Sequence, residues 1–231
     1  MPAVFDSDFL DKVVFDNFDY IEPNVRRLKN NIDTIANTLN ASMKLDPKHY
    51  VILIGDTHDD SSFIHNLIHA ANRAKIKTII HTGDIVHAGT LEKFKEFNGM
   101  VYGVLGNHDK RLGDHAQFVD VIKRHAFSFR YDVLRLSKVK KKILVTHGDN
   151  KKLLNRLYDH EKFHYLMYGH FHRKILLYNK LTNQFIINPG AYSSDPLPSD
   201  ENDNRPSFAI VPIISDDPRN VVFFEFKNGT H

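Results

Sequence analysis

Five apolar runs in this chain end in residues able to hold a metal ion or move a proton. YVILIG is followed by Asp56 and His58, KTIIHTG by Asp84, and MVYGVLG by Asn107, His108 and Asp109. KKILVT leads to His147 and Asp149, and HYLMYG to His170 and His172. Side chains two apart on a strand project to one side, so Asp56 and His58 read either as an ordinary turn or as paired ligands. Five such endings, four with a Gly directly before the polar residue, go beyond turn chemistry. Gly at these points lets the backbone turn tightly and approach a ligand. The chain has no cysteine, so disulfides and thiolate sites are excluded. Carboxylate, amide oxygen and imidazole donors suit Mn²⁺, Fe²⁺, Ni²⁺ or Zn²⁺. A pair of such cations takes about eight protein donors, with one carboxylate bridging them at roughly 3.5–4 Å. Water held between them loses its proton near neutral pH, and a phosphate's oxygens are neutralised by the same charges.

The elements that position these residues can be read from periodicity. Apolar runs at 50–54, 77–82, 100–106, 141–147, 164–169, 184–188, 207–213 and 221–226 predict strands. Helical patterns separate the earlier ones. The stretch SSFIHNLIHAANRAK puts Phe63, Ile64, Leu67, Ile68 and Ala71 on one face. His65 and His69 fall opposite, among Asn66, Asn72 and Arg73; such a pair can bind metal, but its company reads as a solvated face. Further helices are expected near 90–97, 113–125 and 150–160. Strand–helix alternation argues for a largely parallel sheet, and the closer strands of the second half for antiparallel additions. The expected fold is α/β, a two-sheet β-sandwich of mixed strands flanked by helices. Loops after the carboxyl ends of parallel strands converge at one edge, where ligands bind.

Residues 1–46 differ in character. NVRRLKNNIDTIANTLNASMK spaces Val25, Leu28, Ile32, Ile35 and Leu39 as an amphipathic helix. We read 1–46 as an N-terminal helical extension, packed on a main domain at 47–231 or serving self-association. The polar, Pro-bearing stretch 193–206 is expected to be a mobile surface loop, and KVKKK (138–142) a solvated hairpin turn. With 31 Lys and Arg against 28 Asp and Glu, the net charge is too mild to indicate a nucleic-acid binder and leaves that question open. The acidic N-terminus does not read as a signal peptide. No run approaches the roughly 18 apolar residues of a membrane span. A cytoplasmic protein is expected.

The blocks GDTH, GD, GNHD, THGD and GHFH, with INPGAYSSD and NRPSFAIV after them, resemble the signature of the calcineurin-like metallophosphoesterase superfamily, in particular its small bacterial and archaeal phosphodiesterase branch. The resemblance implies a first metal on Asp56, His58, Asp84 and His172, and a second on bridging Asp84, Asn107, His147 and His170. It implies that His108 is the catalytic residue, contacting a phosphoryl oxygen and protonating the leaving alkoxide. Manganese is the expected ion, with iron, nickel or zinc as alternatives. The implied reaction is hydrolysis of a phosphodiester, in a small molecule or nucleotide, by metal-bound hydroxide. Phosphomonoesterase, phosphoprotein phosphatase, nuclease and non-catalytic scaffold remain as alternatives. The phosphoprotein-phosphatase branch carries an Asp-Arg pair where this chain has His87 and Ala88, which argues against that substrate. His87 is expected at the rim or behind the ligands, not as a ligand itself. The acid that orients His108 is left open, since Asp109 stands where that branch has Glu. Lys110, Arg111 and Lys151 are candidate phosphate contacts or simply solvated, and Asp59 and Asp60 are expected to lead into the helix near Ser61.

Overall fold

The run YVILI is apolar on both sides because its strand is buried on both. Val51 and Leu53 face a second sheet, and Tyr50, Ile52 and Ile54 face helices. A computed structural model of the chain describes residues 13, 17–59, 61–111, 115–192 and 206–226. Strands β1 (Asp19–Tyr20), β2 (Asn24–Leu28) and β3 (Tyr50–Ile54) are followed by β4 (Thr78–His81), β5 (Met100–Val104), β6 (Ser128–Arg130) and β7 (Val133–Lys138). Next come β8 (Lys141–Thr146), β9 (Tyr165–Met167), β10 (Lys174–Asn179), β11 (Gln184–Pro189), β12 (Ser207–Pro212) and β13 (Val222–Phe226). One sheet runs β2-β13-β12-β3-β4-β5-β6 and the other β1-β10-β11-β9-β8-β7.

The two sheets pack face to face. Ile80, Val104 and Phe223 of one meet Val145, Met167 and Ile187 of the other in a shared core. Helices α1 (Ile32–Ser42), α2 (Ser61–Arg73), α3 (Ala88–Glu92) and α5 (His115–Arg124) belong to the layer outside the larger sheet. The short helix α4 (Asn107–Arg111) follows β5, and α6 (Lys151–His160) covers the smaller sheet through Leu154 and Leu157. Sheets in a sandwich with helices on both outer faces match the expected fold class.

Two parallel sets organise the molecule. β3, β4, β5 and β6 are parallel neighbours in one sheet, and β8, β9 and β11 in the other. Their carboxyl ends carry the polar endings of the five apolar runs. β7 and β8 form a hairpin whose central Val139 and Lys140 have φ 47° and 62°, the left-handed pair of a type I′ turn. Lys138 and Lys141 there engage Thr78 and Asp216.

Residues 24–28, expected as helix, are a strand instead, paired in parallel with β13 from Asn24↔Val222 to Leu28↔Phe226. The helix begins only at Ile32, where the Asn31 side chain accepts from the Thr34 N–H at 2.8 Å. Pairing with a partner almost 200 residues away overrides the local spacing. The stretch 193–205 lies outside the described residues.

Candidate metal centre

Asp56, at the end of β3, is fully buried, and its carboxylate accepts from the His170 N–H at 3.1 and 3.2 Å. Asp56 Oδ1 also lies 3.3 Å from His172 Nε2. Asp84, at the end of β4, accepts from the His108 N–H through Oδ1 at 2.9 Å. Its Oδ2 stands 3.3 Å from His147 Nε2. That nitrogen is also 3.0 Å from Asn107 Oδ1. Loops of both sheets thus interlock at one edge. His147 Nδ1, from the smaller sheet, bonds the Thr82 carbonyl of the larger one at 2.9 Å.

The candidate ligands gather into two sets. Ligand atoms of Asp56, His58 and His172 lie within 4.8 Å of one another, and so do those of Asp84, His147 and His170. Asn107 joins the second set through His147. His108 is exposed beside them, its ring 5.4 Å from that of His58. Five of these residues, Asp56, His58, Asp84, His170 and His172, have φ between 41° and 69°. Left-handed backbone is costly for a side-chain-bearing residue and concentrates at functional sites.

Charge in the site is balanced internally. Burial works against the Asp84 carboxylate, but the His147 bond and charge and the His108 N–H hold its pKa down at about 2. Burial likewise opposes His147, yet Asp84 and Asp56 push it up to about 9. Asp56 is lowered against its burial by His172 and His147, and His172 is raised against its own by Asp56. His58 and His170 are lowered, chiefly by burial. Two buried carboxylates therefore sit with two imidazoles that favour their protonated form, a pocket that selects positive charge.

This donor set fits divalent cations. The Nδ1–H of His147 is committed to the Thr82 carbonyl, which fixes the tautomer and turns Nε2 towards Asp84 and Asn107. His58 Nε2 is buried without a hydrogen-bond partner among the described residues, and such an orphan calls for an explanation that a metal supplies. Since ligating imidazoles must be neutral, titrating Mn²⁺ into metal-free protein at pH 7 is expected to release at least one proton per chain. His147, with its pKa near 9, is protonated at that pH and must deprotonate. Calorimetry in buffers of different ionisation enthalpy checks this, and at pH 10 the release from His147 should disappear.

Several further residues hold this geometry. The buried Asp109 carboxylate accepts four backbone N–H bonds, from Asp84 and Gly106 at 2.9 and 2.8 Å and from Ile85 and Val86 at 2.7 Å. It clamps the two ligand loops through their backbones. His81 is fully buried and its pKa falls to about 3, chiefly through burial. Its neutral ring accepts from the Gly83 N–H through Nδ1 and meets Thr57 Oγ1 through Nε2. Asn188 ties the Gly169 carbonyl to Gly190. Buried polar residues at strand ends were the available signal, but supporting and ligating histidines look alike in sequence.

Asp59 reaches across to the start of α3. It accepts from His87 N–H and Thr90 Oγ1 and lies 3.3 Å from His87 Nε2, gripping the opposite loop. His87 is 57% exposed there, at the surface. Asp60 lies outside the described residues. Lys110 is paired with Asp132 at 2.9 Å and lies over the Tyr131 ring.

Gly106 shows how tightly the loops meet. A Cβ there would lie 2.0 Å from Asp84 Oδ1 and 2.4 Å from Asp84 N. Asp84 cannot retreat, because Asp109 holds its N–H. Gly106→Ala is expected to cost about 1–3 kcal/mol by overpacking and to lower metal content, read by thermal denaturation and elemental analysis.

Comparison with known proteins agrees with this architecture. A profile of the calcineurin-like phosphoesterase superfamily domain matches residues 50–215. A phosphodiesterase from Methanocaldococcus jannaschii is 24% identical over 139 residues, 60% of this chain and 81% of that protein. The solved structure of an archaeal phosphodiesterase superposes with a TM-score of 0.61 at 21% identity, over 73% of this chain and 96% of the other. A phosphoesterase from E. coli superposes at 0.50 and 17% identity, covering 70% of this chain and 87% of that one. Vacuolar protein sorting 29 from Cryptosporidium parvum also reaches 0.50, at 21% identity and over 70% and 83% of the two chains.

Proposed function

The chain belongs to the calcineurin-like phosphoesterase superfamily, and we propose that it is a two-metal phosphodiesterase. The observation that carries this reading is the pair of three-residue ligand sets, interlocked at one sheet edge, with an exposed histidine beside them. In this reading Asp56, His58, Asp84 and His172 hold one cation. Asp84, Asn107, His147 and His170 hold the other, and Asp84 is shared. The oxygen and nitrogen donors accommodate manganese, iron, nickel or zinc, and manganese is the ion we assign. When bound, the cations supply Lewis acidity, which activates water and neutralises the phosphoryl oxygens.

The chain's own residues do the rest. Asp109 and His81 fix the backbone of the ligand loops, so the donors are arranged before substrate arrives. His147 keeps its Nδ1 proton on the Thr82 carbonyl and presents Nε2. His108 is held by its own N–H on Asp84 and leaves its ring exposed. It donates a proton to the departing alkoxide, the role of a positioned general acid. The substrate is a small phosphodiester or nucleotide. Residues 1–46, whose strands β1 and β2 each edge one sheet, are an extension built onto the 47–231 domain. The protein works in the cytoplasm.

The test is parallel hydrolysis of bis(4-nitrophenyl) phosphate and 4-nitrophenyl phosphate by manganese-loaded and chelator-treated protein. Faster turnover of the diester, lost on chelation, is expected. Hydrolysis of the monoester alone would overturn the substrate assignment, and activity indifferent to chelation would overturn the metal.

A further inference from the structure

The geometry points to a second, separate metal site on the outer helical layer, formed by His65, His69 and Glu96 and suited to a borderline divalent cation such as zinc. Ligand atoms of these three residues lie within 4.8 Å of one another. His65 and His69 are one helical turn apart on α2, so their imidazoles emerge together. The ring centroids are 4.3 Å apart. A single oxygen, Glu96 Oε2, lies 3.1 Å from His69 Nε2 and 3.6 Å from His65 Nδ1.

The third donor does not follow from the helix. Glu96 ends the 3-10 turn Lys93–Glu96, a separate element. It is brought to α2 by a backbone fastening of its own. Asn72 donates to the Glu96 carbonyl at 2.8 Å and accepts from the Asn98 N–H at 2.8 Å. The carboxylate is therefore delivered to the histidine pair by a neighbour that is itself no ligand. A solvated face would let these side chains spread into water; here three converge on one point.

Two imidazole nitrogens and a carboxylate oxygen are the donors of an open zinc site, with water completing the shell. That mixture favours zinc, nickel or cobalt over magnesium and calcium. The side chains are 39–50% exposed, so an ion can enter and water can fill the remaining positions. An ion here would join α2, which follows the Asp56–His58 loop, to the turn that precedes β5 and its Asn107–His108 ending. It would staple two site-bearing elements at their far ends.

The test is zinc binding to the full chain, stripped by chelation and dialysed against buffered Zn²⁺ at pH 7.5, with bound metal counted by elemental analysis. Wild type should hold one equivalent more than His65→Ala, His69→Ala or Glu96→Gln. A His160→Ala control should match wild type. Saturating zinc should raise the thermal midpoint by roughly 5 °C more in wild type than in the three variants. Circular dichroism establishes that the variants fold, which the exposure of the replaced side chains favours. Zinc counts equal in wild type and the three variants, or an equivalent lost equally by the His160→Ala control, would overturn the site.

Discussion

Asn in place of Asp84 lowers turnover by at least about 10³-fold and metal content from two equivalents to one or none. Asp84 is the residue on which the whole centre leans. One oxygen accepts the His108 N–H and the other faces His147. Its φ of 57° is one that Asn tolerates, so Asp84→Asn keeps the loop while removing the charge. Without that carboxylate the field that raises His147 weakens, and in the proposed two-metal reading the donor common to both cations is lost. Elemental analysis and diester turnover of the folded variant check this. Two full equivalents with more than a tenth of wild-type turnover would show that Asp84 is not the shared ligand.

His108→Ala separates chemistry from assembly. The hydrogen bond that ties this position to Asp84 comes from the backbone N–H, so alanine preserves it. Metal content and thermal midpoint should stay at wild-type values. Loss of a general acid slows turnover by roughly 10²–10⁴-fold. The deficit should be largest for poor leaving groups, because an alkoxide needs the proton more than 4-nitrophenolate does. Steady-state kinetics on diesters with leaving groups of graded acidity measure this. An equal deficit across the series would assign His108 to phosphate binding alone.

The part of the site that was legible in the sequence is the part written at strand ends. Strands buried on both faces read as unbroken apolar runs, and the Gly-polar steps after them mark where the chain leaves the sheet. Asp56, His58, Asp84, Asn107, His170 and His172 lie at such steps, His147 directly follows the run KKILVT, and the fold brings them to one edge. What was not legible depends on distant partners. Asn24–Leu28 has the spacing of a helix, and only pairing with Val222–Phe226 makes it a strand. The sequence left open which acid, if any, orients His108; the four bonds of Asp109 to backbone N–H groups depend on how two loops meet. The His65–His69 pair was legible as a solvated face, and Glu96 enters only through the Asn72 fastening.

The most direct measurement of the two-metal centre is a crystal structure of the manganese-loaded protein, with anomalous diffraction recorded at the manganese edge. Two peaks are expected at the sheet edge, one bounded by Asp56, His58 and His172 and one by Asn107, His147 and His170, with Asp84 touching both. A single peak, or manganese bound away from these residues in protein that hydrolyses diesters, would contradict the two-metal centre.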